Sequence, residues 1–211
     1  MNQTLNYYNQ NATEFFNTTF NVDMESLYQA FLQYLPQDAF ILDLGCGSGR
    51  DTLAFKRKGY RVEALDYSKE LVALASQQTG QQVRFESFYD LSDRLLFDGI
   101  WACASLLHCE RHRLAEVFEK MIQALKSDGV IYMSFKYGDS DREKDGRVFT
   151  DLNEQQVQEL LAQFDQVSLV QQWITIDKRP DRKEEWLNFI IQKTIKKSKH
   201  YVRFLRTRTI S

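Results

Sequence analysis

The sequence predicts an α/β fold, a mostly parallel sheet closed by an antiparallel hairpin, with helices on both faces. Three observations carry this. From residue 38 onward, short apolar runs alternate with helical periods. The stretch ILDLGCGSGRDTLAF, residues 41–55, runs from a buried strand through three closely spaced glycines into a helix. Near the end, QVSLVQQWITI and EWLNFIIQK flank the charged segment DKRPDRKE, as a hairpin does.

The elements follow in order. MESLYQAFLQYL places Met24, Leu27, Tyr28, Phe31, Leu32 and Leu35 on one helical face, suited to packing on the sheet. FILDL is the first strand, and RDTLAFKRKG a helix closed by Gly59. YRVEALD is the second strand, and Ser68 caps the helix SKELVALASQQ. VRFESF and FDGIWACAS are the third and fourth strands, ERHRLAEVFEKMIQALK is a helix, and GVIYMSF is the fifth strand. Residues 134–149 then read as a polar loop, TDLNEQQVQELLAQF as a helix, and the hairpin brings the strands to seven. Trp173 and Trp186 fall in that hairpin and read as packing residues.

At 211 residues the chain fits one domain with a sizeable core. Its parts are an N-terminal helical lid (1–37), the α/β core (38–192) and a basic tail (193–211). The formal net charge is −2, but the tail holds seven basic residues and no acid, against 20 basic and 29 acidic residues before it. Such a tail is either solvated or able to touch phosphates or an acidic partner. Cys46, Cys103 and Cys109 form no CxxC pair, there is no apolar leader, and no apolar run approaches membrane-spanning length. A cytoplasmic protein, monomer or homodimer, is the expectation.

The glycines specify the ligand. A dinucleotide site would carry a third glycine at position 50, where the chain has Arg50, and GxxxxGK[ST] is absent. The pattern is D-x-G-x-G-x-G, from Asp43 through Gly45, Gly47 and Gly49. An acid before the glycines suits an ammonium group better than a pyrophosphate. Asp66 ends the second strand, where a carboxylate accepts both ribose hydroxyls. An ammonium group and an unphosphorylated ribose together describe S-adenosylmethionine.

DLGCGSGR, ALDYS and FDGIWACASLLH resemble the class I S-adenosylmethionine-dependent methyltransferases, with the pieces in order over nearly the whole chain. YYNQNATEFF, DGRVFTDLNE and EEWLNFII resemble a bacterial branch related to tellurite-resistance methyltransferases. The resemblance implies a Rossmann-like, doubly wound seven-stranded sheet. It also implies that Asp43 meets the ammonium group, directly or through water, and that Gly45, Cys46 and Gly47 line the methionine and ribose, with Gly49 in the same cofactor loop. Asp66 would hold the ribose, and Tyr67 would stack near adenine. Asp90 and Leu91 would meet the adenine amino group and ring, with Ser87 and Phe88 as the alternative register. Cys103, Ala104 and Ser105 would lie beneath the sulfonium. Arg50 either pairs with the cofactor carboxylate or is a surface helix residue.

Methyl transfer is an in-line displacement and requires no acid/base pair. His108, after the fourth strand, is the candidate base. Otherwise it is a histidine bonded to backbone. His108 and His112 lack a further ligand cluster, so no metal is expected. Tyr7, Tyr8, Phe15 and Phe16 are candidates for a lid over the cofactor, or for ordinary core. Lys136, Tyr137, Arg142 and Arg147 are candidates to bind an anionic or polar acceptor. CASLLH stands where base-amine methyltransferases carry [DNS]-P-P-[YFW], and the acidic body argues against nucleic acid. A small-molecule acceptor remains. A non-catalytic S-adenosylmethionine-binding sensor or assembly protein stays open as the alternative, because fold alone does not confer chemistry.

Overall fold

A computed structural model describes residues 2–179 and 182–194 of the chain. The sheet order is β3-β2-β1-β4-β5-β9-β8. The strands are β1 (Phe40–Leu44), β2 (Arg61–Asp66), β3 (Arg84–Phe85), β4 (Phe97–Ala102), β5 (Leu125–Lys136), β8 (Val167–Ile176) and β9 (Glu185–Lys193). The first five run parallel, and β9 lies antiparallel between β5 and β8. β1 is central because FILDL is apolar on both faces, as a strand covered by helices on both sides must be.

Alternation along β1 assigns the layers. Ile41 shares a cluster with Leu27, Tyr28 and Phe31 of α3 (Glu25–Leu32) and with Phe55 of α4 (Arg50–Arg57). Leu42 and Leu44 face α6 (Leu114–Ala124) and α7 (Glu154–Leu161) through Val117, Phe118, Met121 and Val157. Trp101 of β4 is sealed beneath α3 and stacks on Tyr132 at 3.9 Å. Truncating such a side chain removes about 3–5 kcal/mol. Ser68 caps α5 (Lys69–Thr79) through its hydroxyl, which accepts from the Leu71 N–H, and Gly80 closes that helix.

The structure corrects the sequence reading in three places. The segment read as a polar loop contains a second sheet, β6 (Asp141–Lys144) with β7 (Arg147–Thr150). Its turn is Asp145-Gly146, both at positive φ, the pairing that two-residue hairpin loops require. β3 has only two residues, so the chain leaves the sheet sooner than VRFESF suggested. Lys193, assigned to the basic tail, belongs to β9, and its ammonium donates to the carbonyls of Ile122 and Leu125 at the end of α6. Residues 195–211, the rest of that tail, lie outside the described residues.

α1 (Asn2–Gln10) and α2 (Ala12–Thr19) lie over the carboxyl edge of the sheet. Thr4 accepts from the Val148 N–H, Asn9 accepts from the Ser68 hydroxyl, and Tyr8 bonds His108. α3, inside the same 1–37 segment, is core rather than cover. No helix among the described residues is long and apolar enough to cross a membrane.

Candidate cofactor and acceptor site

After β1 the chain folds back on β2. The N–H groups of Gly45 and Cys46 both donate to the Leu65 carbonyl at 2.9 Å. Gly45 sits at φ +78°, and a Cβ there would stand 2.5 Å from the Ser105 Cβ. Only glycine satisfies both limits. Gly47, at φ +55°, faces the Phe15 ring and donates its N–H to Asp66 Oδ2 at 2.9 Å. Asp66 Oδ1 accepts the Ser68 N–H at 2.8 Å. The carboxylate is thus oriented by two backbone donors. Burial raises its pKa, and among the described residues it has no ion-pair partner. Each oxygen keeps a lone pair for a hydroxyl donor.

Two cavities meet here. A slot of about 110 Å³ is walled by Asp66, Tyr67, Ser87, Phe88 and Ser105. A chamber of about 440 Å³ is walled by Cys46, Arg50, Cys103, Lys136, Arg147 and Trp186, among others. Tyr8, Phe15, Gly45, Gly47, Ala104 and His108 line both. Ala104 holds φ +52° at the end of β4, and its N–H donates to the Ser134 hydroxyl. A non-glycine residue in that region is strained, and the strain lies at the junction of the cavities. Among the described residues, the Ser105 hydroxyl is buried without a partner.

His108 is fixed in one tautomer. Its Nδ1 lies 2.7 Å from the Val148 carbonyl, which can only accept, so Nδ1 carries the proton. Nε2 then accepts from the Tyr8 hydroxyl at 2.8 Å. Burial, with Arg147 and Lys136 nearby, pushes the His108 pKa down to about 4. Burial pushes Tyr8 up to about 12, against the Arg147 charge. Both are neutral near pH 7.

Behind the glycine loop lies a buried charge network. Asp51 accepts from the Tyr28 hydroxyl, from Trp101 Nε1, and from two nitrogens of Arg50. Although burial opposes it, Arg50 holds the Asp51 pKa low. Asp43 is buried, accepts from the Thr52 hydroxyl at 2.6 Å, and is shifted up by burial and by Asp51. It lines neither cavity, so a role toward an ammonium group would have to run through water. Arg50 is no surface residue. Its side chain is 19% exposed and sits in the chamber wall, with Nη1 3.3 Å from the Thr19 carbonyl.

Several expected site residues lie elsewhere. Asp90 is exposed and Leu91 is core, while Ser87 and Phe88, three positions earlier, line the slot. The early end of β3 causes this shift. Gly49 packs against Ala75 and Thr79 of α5 rather than on a cavity. Phe16 stacks on Phe20, and Tyr7 lies under the Arg147 guanidinium at 4.0 Å. Tyr137 is exposed and donates to Glu154, and Arg142 pairs with Asp151. Trp186, read as packing, lines the chamber, as do Phe149 and Asn188. They converge only because β9 lies next to β5 and the β6–β7 hairpin folds over it. Asp145-Gly146 was the one local signal for that hairpin.

Comparison with known proteins agrees with this geometry. Residues 41–129 match the family described as Methyltransferase domain. The Bacillus subtilis (strain 168) protein YqeM, named as a methyltransferase, is 30% identical over 114 residues, covering 48% of this chain and 46% of YqeM. The chain spans about half the length of the curated relatives it matches. Burkholderia thailandensis 1,6-didemethyltoxoflavin-N1-methyltransferase, solved with 1,6-didemethyltoxoflavin and S-adenosylhomocysteine, superposes with a TM-score of 0.76 at 23% identity, covering 92% of this chain and 88% of that one. The magnesium protoporphyrin IX methyltransferase of Synechocystis PCC 6803, solved with S-adenosylmethionine, gives 0.69 at 14% identity, covering 92% and 98%. Residues 41–129 thus match a methyltransferase-domain model, and the chain has the Rossmann-like fold of these solved structures.

Proposed function

We propose that this protein transfers the methyl group of S-adenosylmethionine to a small-molecule acceptor. The observation that carries the reading is Asp66, a half-buried carboxylate with no cation partner among the described residues, oriented by the N–H groups of Gly47 and Ser68 in the wall of the slot. Paired hydroxyls fit it, and a pyrophosphate would be repelled. The joined chamber, about 440 Å³, has the size of a small-molecule site.

S-adenosylmethionine, when bound, supplies a methyl group already activated on a sulfonium. The chain's own residues hold and shield. Asp66 accepts the ribose hydroxyls, Tyr67 and Phe88 flank the adenine, and the Gly45–Gly47 backbone lies along the methionine part. Arg50 Nη1, weakly engaged by Thr19, is a donor for a carboxylate. Tyr8 and Phe15 cover the junction and exclude water. Alignment of this kind is worth about 7–11 kcal/mol in favourable cases. His108 receives a proton from an acceptor only through Tyr8, whose hydroxyl occupies Nε2. The tellurite-resistance-related branch and a cytoplasmic setting are part of the proposal. They rest on the quoted sequence stretches and on the three unpaired cysteines.

Calorimetry of S-adenosylmethionine, S-adenosylhomocysteine and NADH against the wild type and Asp66→Ala tests the reading. Micromolar binding of the adenosyl ligands is expected, weakened about 100-fold in Asp66→Ala by loss of two charge-assisted hydrogen bonds. Binding of NADH alone would overturn it.

A further inference from the structure

The chamber is lined by more positive charge than its own acids neutralise. Arg50 is held by two contacts to the buried Asp51, and Arg179 by two to the buried Asp177. Each charge is matched by its own acid.

Among the other chamber cations, Lys136 and Arg147 are mostly buried and each has one longer contact to a carboxylate. Arg147 makes one contact with a carboxylate, at 3.3 Å to Asp145, whose side chain is 59% exposed, and its Nε is buried with no partner. Lys136 is buried and makes one contact, at 3.2 Å to Glu184. Arg147 also reaches the Tyr8 hydroxyl, yet with five N–H donors on one group and three on the other, donors remain on both. Both also lie against one aromatic ring of the chamber wall. The Lys136 ammonium lies 5.7 Å and the Arg147 guanidinium 5.3 Å from the centre of the same Phe149 ring. Lys136 is 5.4 Å from the Trp186 ring as well. Unneutralised cations in a partly enclosed cavity are costly unless an anion joins them. The surrounding rings offer a flat, apolar bed beside that anion point.

We propose that the acceptor is an anionic molecule with a planar or apolar body, its carboxylate or phosphate held between Arg147 and Lys136 and its body along Phe149 and Trp186. This rests on the methyltransferase reading and specifies its substrate class. Tyr137 and Arg142 take no part, because each is committed to an acid outside the chamber.

The test uses the full chain saturated with S-adenosylhomocysteine, so that Arg50 and the slot are already occupied. Benzoate, phenyl phosphate and the neutral isostere benzamide are titrated while the Arg147 Nε–H resonance is followed by NMR. One or both anions should shift that resonance and bind about tenfold or more tightly than benzamide. Which anion does so separates carboxylate from phosphate. Arg147→Gln should abolish the preference and Lys136→Met should reduce it, and retained S-adenosylhomocysteine binding shows that each variant is folded. Benzamide binding equal to the anions, no Arg147 shift up to the solubility limit of the probes, or an intact preference in both variants would overturn the proposal. If S-adenosylhomocysteine itself fails to bind, the cofactor reading falls, while the comparison of anion with amide still judges the anion site.

Discussion

The two halves of the crevice are built differently. The slot half is made of backbone: glycine amides, the Leu65 carbonyl and the Ser68 N–H, with one carboxylate oriented by them. The groups that orient that carboxylate lie close together in sequence, at the ends of β1 and β2, while Phe15, Phe88 and Ser105 complete the wall. The chamber half is made of side chains: Tyr8, His108, Lys136, Arg147 and Trp186, drawn from five distant segments. A ligand shared by many enzymes can be held by backbone groups that any sequence provides. An acceptor particular to one enzyme must be recognised by side chains, and these differ from chain to chain.

The strongest way to break the comparison is to damage the backbone half. Gly45→Ala should cost about 3 kcal/mol, from the positive φ and from the collision with Ser105. Denaturant midpoints and S-adenosylhomocysteine calorimetry would register it as lower stability and lost binding. An alanine variant that binds as the wild type does would show that the loop is not rigid.

The next effect lies in the chamber. His108 has a folded pKa of about 4, below its unfolded value near 6.5, so the folded state binds fewer protons. Its contribution is fully present above about pH 6.5 and is lost as pH falls toward about 4, by up to about 3 kcal/mol. Other groups titrate there too, so the informative quantity is the difference in slope between the wild type and His108→Gln. Equal slopes between pH 7 and 4.5 would remove His108 as a buried neutral group.

Tyr8→Phe should cost about 1 kcal/mol of stability, by leaving His108 Nε2 without its donor. It should change S-adenosylhomocysteine binding by less than about threefold, because the hydroxyl is engaged by His108 and the ring that covers the junction is kept. A large loss of cofactor affinity would mean that the two halves are not separable at this residue. The smallest effect sharpens the register of the adenine wall. Phe88→Ala should weaken S-adenosylhomocysteine about tenfold, and Asp90→Ala should leave it within about twofold. The reverse result would restore the later register.

The slot was largely legible in the sequence because its chemistry is local. D-x-G-x-G-x-G, Asp66 and the CAS of β4 sit at strand ends whose positions follow from apolar periodicity. The slot wall left two registers open, Asp90–Leu91 and Ser87–Phe88, because a two-residue strand leaves almost no periodic signal, and it is Ser87 and Phe88 that line the slot. His108 was found as a residue, but its bonding was not, since Val148 and Tyr8 lie 40 and 100 positions away.

The sequence by itself determined the α/β class, the parallel core, the closing hairpin and the type of ligand its glycines suit. Those depend on spacing and residue type within short windows. Only the tertiary structure decided that Arg50 and Arg179 are neutralised while Arg147 and Lys136 keep donors free. It also decided that Asp43 is sealed away and that Trp186 faces the chamber. Charge pairing and burial depend on which distant segments meet, and that is set by the packing of β9 against β5 and of the β6–β7 hairpin over the sheet edge.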